Sequence, residues 1–457
     1  MTRRLRSLLL ALIALVVVVA PPRAAADDTP PRAPLSVPYT LFTLPNGLRV
    51  VLHEDHSVPV VAVNVWYHVG SGREKPGRTG FAHLFEHLMF EGSGHVKEGD
   101  FDNLLEGAGG DNNGSTNNDR TNYYLNVPSH ALELALFLES DRMGYLLDAM
   151  SPGKVDGQRD VVKNERRQGV ENQPYGQAFI TLSETLFPKG HPYHWPTIGY
   201  MDDLTAASYD DVTDFFKQYY GPNNATLVVA GDIDPAKTRT LVERWFSDVK
   251  RGPDVPPFSA PPVELSGVTK TTITDRVQLP RIYLAWIGPP VYKPGDAELD
   301  VAAEVLAGGK SSRLYKRLVY DLQIAQNVFA FQEDGDLASI FAIVATARPG
   351  HTLDELTKVI DEELERLRET AAEPREVVRV INRYEAAFYD GLERVGRRAD
   401  ALNAYVTQTG NPDYFAEDLA RYQILTPTDI QAAIRTWLPS DRRVELSVLP
   451  AAAPSKE

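Results

Sequence analysis

Ser208-Tyr209-Asp210-Asp211-Val212, followed by Phe215, Phe216 and Tyr219, returns 218 positions later as Thr426-Pro427-Thr428-Asp429-Ile430, followed by Ala433, Ile434 and Trp437. In both copies a hydroxyl residue opens the segment and apolar residues recur at helical spacing. Ser208 and Thr426 therefore read as N-caps of two amphipathic helices. The strands that follow also correspond, Leu227-Val228-Val229 beside Glu445-Leu446-Ser447. At the front of each half, Val60, Ala62, Asn64, Trp66, His68 and Gly70 mark one face of a strand, and Ile282, Leu284, Trp286 and Gly288 fall in step with the last four of them. One offset serving both ends of the halves implies an internal duplication.

Between the copies, residues 251–262 carry Pro253, Pro256, Pro257, Pro261 and Pro262, which reads as an interdomain linker. The expected organisation is a leader over 1–26, a first domain over 36–250, the linker, and a second domain over 263–450. Strand-like runs such as 49–53 and 59–69 follow a hairpin signal at Pro45-Asn46-Gly47, and helical blocks such as 131–147 and 353–369 come after them. Strands and helices are partly segregated. This predicts an α+β fold of two homologous domains, each a mostly antiparallel sheet with helices packed on one face.

Composition narrows the chemistry. The 457 residues include no cysteine, which excludes a thiol nucleophile, an iron–sulfur cluster and Cys-ligated zinc, so any metal must sit on His and carboxylate. Arg3, Arg4 and Arg6 precede an apolar run over 8–20, then Pro21, Pro22 and Ala24-Ala25-Ala26, the pattern of a secretory signal peptide. The run is shorter than the roughly 20 residues that span a bilayer, an uncleaved anchor being the alternative. Thr2-Arg3-Arg4 leaves Sec and twin-arginine export both open. The expectation is a periplasmic or secreted protein with no membrane span after cleavage. Losing 1–26 moves the net charge from −15 to −19, a surface that repels nucleic acid and anionic lipid.

One constellation carries catalytic chemistry, His83-Leu84-Phe85-Glu86-His87. On a helix His83 and His87 lie one turn apart on the same face, so both imidazoles reach one tetrahedral Zn²⁺. Glu86 projects beside them, placed to take a proton from a water there without being a ligand. The alternative is two core histidines and a surface glutamate. A third ligand is needed, and Asp160-Val161-Val162-Lys163-Asn164-Glu165-Arg166-Arg167-Gln168 reads as a helix that offers Glu165; by spacing alone Glu165 is equally a solvent residue paired with Arg166 or Arg167.

The inverted motif, within Gly80-Phe81-Ala82-His83-Leu84-Phe85-Glu86-His87-Leu88-Met89-Phe90, resembles the insulinase/pitrilysin family of inverzincin peptidases, which includes the mitochondrial processing peptidases. Leu44-Pro45-Asn46-Gly47-Leu48, Phe137-Leu138-Glu139-Ser140-Asp141-Arg142-Met143, Val161-Val162-Lys163-Asn164-Glu165-Arg166 and Gly308-Gly309-Lys310-Ser311-Ser312-Arg313-Leu314 follow in the family's order. The resemblance implies a half-size zinc endopeptidase of peptides or unstructured segments, with His83, His87 and Glu165 as ligands and Glu86 as general base. A non-catalytic scaffold or chaperone-like subunit of a complex is the alternative. It also implies that Asn113, Gly114, Ser115 and Thr116 form an edge strand to which the substrate backbone adds as a further strand, Gly114 standing where the family usually has Ala; a polar hairpin loop suits the same residues.

At the repeat offset the motif meets Val301, Glu304 and Val305, so one Zn²⁺ per chain is expected. Gly309-Lys310-Ser311 resembles a P-loop tail, but Glu304 occupies the position of its first glycine. Family members that close over substrate carry an arginine and a tyrosine where this chain has Val319 and Gln326. That departure implies a heterodimer with a homologous subunit that lacks the zinc motif and brings the Arg/Tyr pair, the homodimer being the alternative.

Overall fold

Among residues 35–451, which the computed structural model describes, eleven strands form two sheets. The leader over 1–26 lies outside the described residues. The first sheet contains β1 (Thr40–Thr43), β2 (Arg49–Glu54), β3 (Val60–Tyr67), β4 (Asp111–Thr116), β5 (Thr121–Pro128) and β6 (Ala225–Gly231), in the order β1-β2-β6-β3-β5-β4. The second contains β7 (Val268–Asp275), β8 (Arg281–Gly288), β9 (Ala325–Glu333), β10 (Ser339–Ala347) and β11 (Arg443–Pro450), in the order β7-β11-β8-β10-β9. Each sheet is antiparallel apart from one parallel pair, β2 with β6 and β7 with β11. Residues 251–266, between the sheets, form no helix or strand.

The helices before the linker segment are α1 (Phe81–Leu88), α2 (Asp100–Gly107), α3 (Leu132–Ala149), α4 (Pro152–Arg166), α5 (Ala178–Leu186), α6 (Met201–Ala206), α7 (Tyr209–Tyr219) and α8 (Pro235–Phe246). After it come α9 (Asp296–Ala307), α10 (Leu353–Glu369), α11 (Pro374–Glu393), α12 (Val395–Gln408), α13 (Phe415–Gln423) and α14 (Pro427–Trp437). The repeated segments are α7 and α14. Ser208 caps the first and exchanges bonds with Asp211, and Thr426 does the same with Asp429, so both are complete capping boxes.

The first core lies between one face of the first sheet and its own helices, where Val61, Val63, Val65 and Tyr67 meet Leu84, Phe85 and Leu88. The opposite face is covered from the other half. α12 lies across β3 and β6, its Asp400 accepting from Asn64 Nδ2 at 3.1 Å and Trp66 Nε1 at 3.0 Å, while Asn403 donates to the Asn64 carbonyl at 3.0 Å. The return exchange is made by α5, whose Ala178, Leu182 and Leu186 pack with Tyr283, Ala285 and Leu446 of the second sheet. Within each half its own helices take one face, and a helix from the other half takes the second. Alternation along β3 carries no sign of this, because Asn64 and Trp66 look polar or amphipathic until Asp400 meets them.

The strand match at the front of the halves needs correction. Leu227 pairs with Val65, whereas Glu445, its counterpart at the offset, pairs with Leu284 and not with Tyr283. An odd shift of one residue turns a strand over. Trp66 therefore faces α12, while Leu284 and Trp286 sit in the core beneath their own helices.

Candidate metal centre

α1 begins at Gly80, whose φ of +88° is a left-handed conformation that favours glycine, and no N-cap side chain bonds the first turn. Glu74 supplies the missing acceptor from six residues upstream. Its buried carboxylate receives Gly80 N–H and Ala82 N–H, both at 2.8 Å. Burial pushes the Glu74 carboxyl well above the usual carboxylate range, while the backbone N–H groups it accepts pull it back down. Glu74 escapes sequence analysis because a capping box places its carboxylate three residues inside the helix, not six before it. We expect Glu74→Ala to cost about 1–2 kcal/mol, the value of a lost helix cap, and to weaken zinc retention, because the first turn carries His83. Thermal melts with and without zinc check this, with Glu74→Gln, which keeps one acceptor, falling between.

A second brace joins α1 to the helix bearing Glu165. Gly199 lies so close to Gly80 that a Cβ on it would stand 2.5 Å from the Gly80 Cα. Arg166 donates to the Gly199 carbonyl at 2.5 Å, and Thr79 Oγ1 donates to Asp203 at 2.7 Å. α4, capped by Ser151 with Pro152 in its first turn, runs straight into a π-helical turn over Arg167–Glu171, just past Glu165. Neither neighbouring arginine takes Glu165: Arg166 holds Gly199 and faces Glu171 at 3.4 Å, and Arg167 donates to Asn164.

Glu165 instead faces the two histidines. His83 Nε2 lies 3.6 Å from Oε1 and His87 Nε2 3.2 Å from Oε2, and one ligand atom from each of the three residues falls within 4.8 Å of the others. Donors about 2.0–2.1 Å from a tetrahedral ion stand roughly 3.3 Å apart, so this spacing fits zinc. Burial holds His83 below the usual imidazole value, and the hydrogen bond to His87 holds Glu165 below the usual carboxylate value. Neutral imidazole and ionised carboxylate are the forms a divalent cation takes. His83 Nδ1 is buried with no partner among the described residues, so packing rather than a hydrogen bond sets its ring.

Glu86 lies against β4. A Cβ on Gly114 would stand 3.1 Å from Glu86 Cγ, and Tyr123, paired opposite Gly114, donates its hydroxyl to the Phe85 carbonyl at 2.8 Å. β4 is an edge strand with only β5 beside it. Asn113 Oδ1 accepts the Gly114 N–H at 2.8 Å, Ser115 bonds Asn122 at 2.6 Å, and Thr116 reaches Thr121 at 3.5 Å. Four of the residues singled out from the sequence, Asn113 to Thr116, thus share the strand that passes Glu86.

The second half offers no equivalent donor set among the described residues. Val301 and Val305 are buried, and Glu304 is held by Arg383 at 2.8 Å. Arg383 stands at the repeat offset from Glu165, so the second copy has a cation where the first has a carboxylate.

The family model "Insulinase (Peptidase family M16)" matches residues 49–191, and "Peptidase M16 inactive domain" matches residues 206–384. The chain is 31% identical over 379 residues to the zinc protease PqqE of Helicobacter pylori, covering 81% of this chain and 85% of that one. It is 23% identical over 427 residues to a probable mitochondrial-processing peptidase subunit beta of Arabidopsis thaliana, covering 91% and 79%. A crystal structure of a protease from Helicobacter pylori superposes with a TM-score of 0.84 at 28% identity, covering 91% of this chain and all of the other.

Proposed function

Because this chain belongs to the insulinase (M16) peptidase family, as a half-size two-domain member, we propose that it is a zinc-dependent endopeptidase cutting peptides or unstructured segments. The convergence of His83, His87 and Glu165 beside Glu86 and the open edge of β4 carries this reading. His83, His87 and Glu165 would hold one zinc per chain, which when bound would supply Lewis-acid polarisation of a carbonyl and a lowered water pKa. Asn113, Gly114, Ser115 and Thr116 align the substrate backbone along β4 so that the scissile bond lies beside Glu86. Glu86 takes the proton of the attacking water on a carboxylate oxygen and delivers it to the leaving amine. The first domain, 36–250, carries the centre; 263–450 carries none, and 251–262 links them.

Export by the segment 1–26 places this activity in the periplasm or the medium. The missing Arg/Tyr pair supports a heterodimer with a homologous subunit lacking the zinc motif, since Val319 is packed in the second core and Gln326 is exposed at the start of β9. The homodimer is the second arrangement. The test is digestion of an unstructured peptide library by the purified chain, with chelator, with zinc restored, and with such a homologue at one-to-one ratio. Expected is cleavage that chelation abolishes and zinc restores, rising severalfold with the homologue. Full activity of the chain by itself, unchanged by the homologue, would remove the heterodimer. No cleavage in any zinc-loaded mixture would remove the peptidase.

A further inference from the structure

A cavity of about 640 Å³ lies behind the edge strand, on the face of the first sheet away from α1. Its floor is a single row of cross-strand neighbours. Ser115 is opposite Asn122 and Asp111 opposite Asn126, with Tyr124 between the two pairs, and its roof is the start of α12. Side chains alternate between faces along a strand. Gly114 points to Glu86 and Ser115 points into this cavity. A peptide strand added along β4 obeys the same alternation, since residues directly opposite one another share a face. The peptide residue opposite Gly114 meets the metal side, and the residue opposite Ser115 sends its side chain toward the cavity.

The lining carries three arginines, Arg120, Arg394 and Arg397, and three carboxylates, Asp111, Glu393 and Asp400, and none of the six forms an ion pair among the described residues. Arg120 lies with its guanidinium 5.2 Å over the Trp66 ring and gives one nitrogen to Ser115, at 2.8 Å to the carbonyl and 2.7 Å to Oγ. Its other nitrogens bond nothing among the described residues. Asp400 Oδ1 accepts from the neutral donors Asn64, Trp66 and Asn122, the last at 3.2 Å, and Asp111 accepts from the neutral Asn126 amide at 2.9 Å, so both keep their charge without reaching Arg120 as an ion pair. Arg394 and Arg397 line the roof and form no ion pair among the described residues, with Glu393 the one acid lining the cavity that accepts no bond there.

We propose that this cavity is a specificity pocket for a carboxylate side chain, Asp or Glu, on the substrate residue next to the one facing Glu86, with Arg120 as the fixed anchor. The inference rests on the reading that substrate pairs with β4. It assigns a selectivity to Arg120 and the start of α12, which is contributed by the half that carries no metal donors.

The test uses the zinc-loaded Glu86→Gln chain as a binding protein and the wild-type chain as a cutter. The probes are unstructured ten-residue peptides in which a single Glu, Gln or Lys is walked along an otherwise neutral sequence. Expected for the Glu series is binding about ten-fold tighter than for Gln, the range of a charge-assisted hydrogen bond. Wild-type cuts should fall at a fixed distance from the Glu. Arg120→Gln should erase the preference through KM with kcat retained, while Arg120→Lys keeps part of it. Should Arg120→Gln fail to fold, Arg394→Glu with Arg397→Glu, on the cavity roof, should reduce the Glu preference by itself. Cleavage without any Glu preference, or a preference that survives all these substitutions, overturns the pocket and leaves the peptidase reading intact. Absence of cleavage with a Glu preference in binding does the reverse.

Discussion

Glu86→Gln is expected to keep one zinc per chain and to lose turnover by about 100- to 10,000-fold, the range that a general base contributes. Gln has the shape of Glu, and Glu86 is no part of the three-donor group, so the donors His83, His87 and Glu165 are untouched. An amide cannot take a proton from water or return one to the leaving amine. Metal analysis beside a peptidase assay checks the result. Substantial turnover in the zinc-loaded variant would dismiss Glu86 as the base, and loss of metal would make it a ligand.

The second large effect belongs to Glu165→Ala, which should remove zinc and activity together. With its two oxygens facing one imidazole each at 3.6 and 3.2 Å, this carboxylate closes a donor set that two histidines cannot complete. The fall in metal affinity should exceed the roughly 10- to 100-fold that loss of a mere supporting partner costs. Glu171→Ala is the paired control. Glu171 sits six residues on, across the π-helical turn, facing Arg166 at 3.4 Å, and its loss should leave zinc and activity in place. The opposite outcome for the two variants would move the third ligand to Glu171.

What could be read without coordinates was whatever depends on near neighbours in the chain. The i,i+4 relation of His83 and His87 is local, and so are Ser208 and Thr426, which cap α7 and α14 as their positions imply. Spacing alone leaves Glu165 between two equal readings, the family resemblance favours the ligand, and in the structure Arg166 and Arg167 hold Gly199 and Asn164 instead of Glu165. Contacts between distant segments were not legible. Glu74 caps α1 across a loop, Gly199 wedges against Gly80 from more than a hundred residues away, and Asp400 meets Trp66 from the other half. The strand equivalence failed for a related reason. A one-residue shift barely alters a pattern comparison, yet it exchanges the two faces of the strand.

The exchange of α5 and α12 has a mechanical meaning. A clamshell opens by turning one plate away from the other, and here that turn would strip α12 from β3 and β6 and α5 from the second sheet. It would bare Trp66 to water and break the bonds of Asp400 and Asn403. The chain is thus built as one stiff jaw. On the proposed reading, closure over a peptide lying on β4 then calls for a second jaw outside residues 35–451.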